Sequence, residues 1–188
     1  MKNLFHNKTI FTLLTALILC LTILSCQRDD AAEDDIPQEE LTNIVLNVKN
    51  LSTQEITSYN YSVGAGSAPV VKLVNGVSYE VRTTFLNGSE DVTQEIKDAK
   101  DEHFLIFDFP RSQVNLTRLD TAESTGTNGK VGLITKWEVI KVVNSPSPLL
   151  KVTLIHEPAT ASESQNGTAW GSVTGGETDA EATFQLSN

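Results

Sequence analysis

The sequence predicts an all-β fold for residues 41–188, an antiparallel, immunoglobulin-like β-sandwich of about nine strands with one short helix. Three observations predict it. Short runs rich in Val, Ile, Leu and aromatics alternate with polar residues along this stretch. Turn pairs punctuate the runs: Asn75-Gly76, Asn87-Gly88, Asn128-Gly129, Asn166-Gly167 and Gly175-Gly176. A helical pattern occurs once only, so the strand–helix alternation of a parallel sheet is missing.

In chain order, the first expected strand is Leu41–Val48, with Ile44, Leu46 and Val48 in phase. Glu55–Val63 alternates Thr57, Tyr59, Tyr61 and Val63 against Ile56, Ser58, Asn60 and Ser62. Pro69–Val74 is short and apolar, and Val77–Leu86 alternates through Val77, Tyr79 and Val81. Asn75-Gly76 between these two runs predicts a hairpin. Ser89–Glu102 carries acids in its first turn and Val92, Ile96 and Ala99 at helical spacing, which predicts the helix. His103–Phe109, Val114–Leu119, Val131–Val143, Leu149–Ile155 and Ala182–Leu186 supply the remaining strands. Glu157–Asp179 is polar and rich in Gly, Ser and Thr, and reads as a large loop or a weak extra strand.

The first 40 residues are of another kind. Lys2 and Lys8 precede an apolar run, Ile10–Leu24, which has the length of a signal-peptide core and is short for a membrane span. The run ends Leu21-Thr22-Ile23-Leu24-Ser25-Cys26, which resembles a bacterial lipobox. That resemblance implies removal of residues 1–25 as a signal peptide and lipidation of Cys26, a membrane anchor rather than a span. An uncleaved signal anchor is the alternative. Residues 26–40 follow as a tether, with seven acids among residues 27–40 and almost no apolar side chains to bury. Fully extended, residues 27–40 reach at most about 46–50 Å. Acids soon after a lipidated cysteine resemble the surface-export signal of Bacteroidota lipoproteins, which implies the outer face of the outer membrane; a spacer on a periplasmic lipoprotein is the alternative.

Charge and cysteine content exclude several functions. The 188 residues hold 14 Lys and Arg against 24 Asp and Glu, a net charge of −10, so no basic surface awaits nucleic acid. Seventeen acids and eleven bases fall from Leu41 onward, an ordinary balance for a folded domain. The two cysteines, Cys20 and Cys26, both lie in the N-terminal segment, which leaves the body without a disulfide or a catalytic thiol. No nucleophile-elbow, zinc-protease or phosphate-loop spacing occurs, and an enzyme is not expected.

Two histidines remain in the body. His103 follows Asp101-Glu102, and His156 precedes Glu157, each at the end of an expected strand. His103, His156, Glu102 and Glu157 are therefore candidate ligands for a divalent metal, provided the two strand ends are adjacent. The alternative is two separate histidines, each hydrogen-bonded at a sheet edge. Glu90, Asp91, Glu95, Asp98, Asp101 and Glu102 do not match a calcium loop and read as a solvated helix face. Trp137, Trp170, Tyr59, Tyr61 and Tyr79 read mainly as core, with Trp170 the most exposed. Asp120-Thr121-Ala122 resembles an O-glycosylation site of these bacteria, with Thr121 as acceptor.

Several segments together resemble a family of small Bacteroidota surface lipoproteins. They are Ala68-Pro69-Val70-Val71, Phe85-Leu86-Asn87, Glu90–Ile96, Asp101-Glu102-His103-Phe104, Leu154–Pro158 and Gly176–Glu181. The family is often labelled type 1 periplasmic binding fold superfamily protein, and some members are encoded beside TonB-dependent receptors. Here Ser62–Gly66 replaces the aspartate- and glycine-rich stretch that usually precedes Ala68-Pro69. The label itself implies two α/β lobes, which this strand-rich chain is too short to form. The resemblance implies a lipid-anchored, non-enzymatic accessory that captures a ligand for an outer-membrane receptor. A structural or adhesive surface module with no small ligand is the alternative.

Overall fold

The computed structural model describes residues 41–65, 67–144 and 149–188; the expected signal peptide, Cys26 and the tether lie outside them. Two six-stranded sheets face each other. The first contains β1 (Asn43–Asn50), β2 (Ile56–Ser62), β4 (Ser78–Asn87), β5 (Glu90–Asp91), β7 (Gln113–Arg118) and β10 (Ile134–Lys141). Its order is β2-β1-β4-β10-β7, with β5 paired to the end of β4. The second contains β3 (Val70–Lys72), β6 (His103–Asp108), β11 (Leu150–His156), β12 (Thr160–Asn166), β13 (Ala169–Thr174) and β14 (Glu177–Ser187), ordered β12-β13-β6-β11-β14-β3. Every pairing is antiparallel except β3 with β14. A small ribbon, β8 (Thr125–Gly126) with β9 (Gly129–Lys130), and the helix α1 (Thr93–Asp98) complete the domain. The expected all-β sandwich is the fold.

Period-two alternation builds the core. Ile44, Leu46 and Val48 of β1, Tyr79, Val81 and Phe85 of β4, and Trp137 and Val139 of β10 point inward from one sheet. Leu105 and Phe107 of β6, Val152 and Leu154 of β11, and Ala182, Phe184 and Leu186 of β14 meet them from the other. Trp137 is fully buried and packs edge-on against Phe107 and Phe109, with centroids 6.1 and 5.2 Å away. In β6 and β11 the intervening residues Phe104, Thr153 and Ile155 are buried as well, so these two strands read as nearly unbroken apolar runs.

Four elements differ from expectation. Asn75-Gly76 is a turn but joins no hairpin: β3 pairs with β14 in the second sheet, whereas β4 lies in the first. The turn is stapled to β10 instead, with Val142 N donating to Asn75 Oδ1 and Gly76 N to Val139 O. The helix is shorter than Ser89–Glu102, because its expected first residues form β5 after a two-residue turn at Gly88-Ser89. The segment Val131–Val143 enters its strand only at Ile134. Within Glu157–Asp179 lies a full hairpin, β12–β13, whose side chains are almost all outside the core.

Candidate functional site

The site is built by strand register. His103 opens β6 and is the cross-strand partner of His156, which closes β11. Both are in phase with the inward rows, His103 with Leu105 and Phe107, and His156 with Val152 and Leu154. They therefore cap the core at the end of the sandwich where α1 packs. Their rings stack, with centroids 5.1 Å apart and planes tilted by 19°. The two sequence-predicted histidines do meet.

A carboxylate that the sequence did not single out joins them. Asp179 Oδ2 lies 3.2 Å from His103 Nε2, and Asp179 Oδ1 lies 3.8 Å from His156 Nδ1. Its position comes from a β-bulge. Leu154 pairs with Ala180 and Ile155 with Thr178, which leaves Asp179 as the extra residue between them. A bulge re-aims a side chain locally, and here it brings the carboxylate to the imidazoles.

Of the expected carboxylates, Glu102 takes part: its Oε2 lies 3.8 Å from His156 Nε2. Glu157 stands on the rim. Its backbone is left-handed (φ 47°), and its N–H donates to Glu102 O over 2.6 Å, tying the end of β11 to the residue before His103. With His156, Gly176 and Glu177 it lines a hollow of about 290 Å³. Side-chain exposure rises outward through the cluster, from His103 (3%) and Asp179 (10%) to His156 (21%) and Glu102 (49%). On its other side His103 Nδ1 lies 3.0 Å from Ala99 O, at the end of α1. A carbonyl only accepts, so Nδ1 is the donor. As the side chains stand, no three His, Cys, Asp or Glu residues among those described converge to hold a metal ion.

A second buried polar cluster was not legible as such. Arg118, at the end of β7, donates through Nη1 to Val131 O (2.7 Å) and Lys130 O (3.2 Å), and through Nη2 to Leu105 O (2.5 Å). Its guanidinium carbon sits 4.2 Å from the centre of the Phe104 ring. Gly132 and Gly171 both have φ near +100° and leave room where a Cβ would strike the guanidinium. Asp120 accepts from Gly132 N (3.1 Å) and Leu133 N (2.9 Å). Burial pushes the Arg118 guanidinium down from its ordinary value to about 10, so it stays charged at neutral pH. Burial also raises the Asp120 carboxyl, outweighing the hydrogen bonds and the nearby Arg118 that favour its ionised form.

The other candidates are placed as follows. Thr121 is exposed just before a 3-10 turn (Ala122–Ser124), but Asp120 beside it is buried. The acids around α1 serve separate local bonds: Asp91 accepts from Thr93 N, Asp98 from Gln94, and Asp101 from Thr127 N. Trp170 is partly buried against the core and donates its indole N–H to Val114 O over 2.8 Å, bridging the two sheets. Tyr59 and Tyr79 accept from the backbone N–H groups of Lys72 and Val74. Among the described residues no helix is long and apolar enough to cross a membrane. No family model, curated protein or solved structure matches the chain.

Proposed function

We propose that the chain is a lipoprotein of the bacterial cell envelope, anchored through Cys26 on the outer face of the outer membrane. It acts there as a non-enzymatic accessory that captures a ligand for a TonB-dependent receptor. The carrying observation is the order Lys2, Lys8, the apolar run Ile10–Leu24, then Ser25-Cys26 and an acidic stretch. Acyl chains on one cysteine hold a domain stably, since each buried CH₂ contributes roughly 0.8 kcal/mol.

The fold supports a capture role at a definite place. β1 begins at Asn43, beside the end of β4, and α1 leads from that end to the start of β6. The described chain thus enters the sandwich at the same end that carries His103, His156 and Asp179. A ligand held there sits at the end of the domain where residue 41 enters. The resemblance to lipoproteins encoded beside such receptors favours the same reading.

The test is metabolic labelling with a fatty acid, followed by membrane fractionation and protease treatment of intact cells. The native chain should carry label, sediment with the outer membrane and be cut from outside. Cys26→Ala should lose the label and leave the membrane. A Cys26→Ala chain that still carries label would sink the reading.

A further inference from the structure

We propose that His103 and Asp179, completed by His156, bind one divalent transition-metal ion at the end of the sandwich where residue 41 enters. The inference rests on the reading of that end as the capture site, and it names the class of ligand.

The Ala99 carbonyl assigns the ring proton of His103 to Nδ1, which leaves a lone pair on Nε2. That lone pair faces Asp179 Oδ2, another acceptor, only 3.2 Å away. Two acceptors so placed repel unless something positive lies between them. The second Asp179 oxygen lies 3.8 Å from His156 Nδ1. A proton or a metal ion satisfies the arrangement.

The geometry points to the metal. Ligands about 2.0–2.1 Å from a tetrahedral zinc ion lie about 3.3–3.4 Å from one another. The 3.2 Å between His103 Nε2 and Asp179 Oδ2 is close to that separation. The Nδ1–H bond to a backbone carbonyl is the support that metal-binding histidines have on their far side. The bulge sets Asp179 between the ladder partners, and bulges are over-represented beside functional sites.

The stacking explains why three ligands do not already converge. With ring planes 19° apart and centroids 5.1 Å apart, the in-plane lone pairs of His103 and His156 lie in separate, nearly parallel planes and miss a common point. A turn of the His156 ring aims it at the ion. His156 is the more exposed of the pair and borders the 290 Å³ hollow, which leaves room for that turn. The hollow also leaves one coordination position open to water or to a receptor group, so the ion exchanges rather than staying sealed in. Two imidazoles with one carboxylate suit Zn²⁺, Cu²⁺ or Ni²⁺ and not Ca²⁺ or Mg²⁺.

The experiment uses the lipidated, detergent-solubilised chain, stripped with chelator and titrated at neutral pH with Zn²⁺, Cu²⁺, Ni²⁺ and Ca²⁺ by calorimetry. One transition-metal ion per chain should bind more tightly than about 100 μM. Asp179→Asn and His156→Ala, each shown folded by circular dichroism, should weaken binding at least about tenfold. His156→Ala removes the most exposed ligand, so it reports on the site even if a buried substitution unfolds the chain. Affinity weaker than about 100 μM overturns the inference and leaves the shared proton as the occupant. So does a loss smaller than tenfold in either folded variant, or equal binding of Ca²⁺. A chain anchored through Cys26 that binds no metal loses this inference alone; one that binds metal without acylation loses only the anchor.

Discussion

Two buried polar clusters lie two residues apart along β6, and they are built in opposite ways. Arg118 grips Leu105 O together with the carbonyls of Lys130 and Val131, while Asp120 is held by the amides of Gly132 and Leu133. Nearly all its partners are backbone, and two glycines close it off. The cluster at His103 keeps one backbone bond, Nδ1–H to Ala99 O, is otherwise held by side chains at 3.2 to 3.8 Å, and opens outward to a half-exposed Glu102. A cluster satisfied by backbone is fixed once the chain folds, so it serves the fold. A cluster satisfied by mobile side chains at an open end can trade a partner for a ligand. That difference ties Arg118 to stability and leaves His103 as the candidate for binding, although both side chains are buried.

The comparison breaks most easily at Arg118. Arg118→Ala removes three hydrogen bonds to backbone carbonyls, two of them buried, and the packing against Phe104, and it leaves Asp120 without its neighbouring positive charge. We expect a loss of about 3–5 kcal/mol in urea unfolding. Arg118→Lys should recover little, because an ammonium cannot span the fork of carbonyls. A loss below about 1 kcal/mol would show that the cluster is dispensable. Next comes Gly132→Ala. At φ +101°, with a guanidinium nitrogen in the way, it should cost about 2–3 kcal/mol. Gly167→Ala has φ +63° but open space around it, and should cost clearly less.

Much of this was legible, and the reasons for the rest are physical. Alternation marks β1, β4 and β7 because one face of each is buried. It even places Arg118 inward, in phase with Val114 and Leu116; a charge at a core phase was the available signal for the second cluster. The β12–β13 hairpin escapes because its strands are held by their ladder while nearly every β12 side chain faces water. Asn75-Gly76 and Asn87-Gly88 look alike locally, yet only the second joins paired strands, since the partner of β3 is chosen by the free edge of β14. The phases of His103 and His156 can be read from the sequence, but their meeting depends on cross-strand register. Asp179 is the least legible, because a one-residue bulge shifts which side chain faces the core end.

A smaller effect sharpens the contrast in charge. Burial raises the Asp120 carboxyl above its ordinary 3.8. A carboxyl that holds its proton more tightly in the folded than in the unfolded chain adds stability in acid, and that contribution fades as pH rises through the raised value. The sign is opposite to that of a salt-bridged acid. Following the Asp120 carboxyl carbon by NMR should give a midpoint above 3.8; a midpoint at or below it would mean that the backbone amides outweigh burial.

The smallest expected effect is the one that tests the open cluster. Asp179→Asn keeps the shape of the side chain and one oxygen facing His103, so the fold should lose no more than about 1 kcal/mol in urea unfolding. The same substitution should strip most of the metal affinity, because the amide carries no charge and turns a donor toward one imidazole. The pair of measurements matters more than either alone. If Asp179→Asn destabilised the chain as much as Arg118→Ala does, the histidine end would be a second structural knot, and the bulge would exist to tie β14 to β11. If stability holds while binding falls, the bulge is spent on placing a ligand, and the two clusters on β6 divide the work of folding and of capture between them.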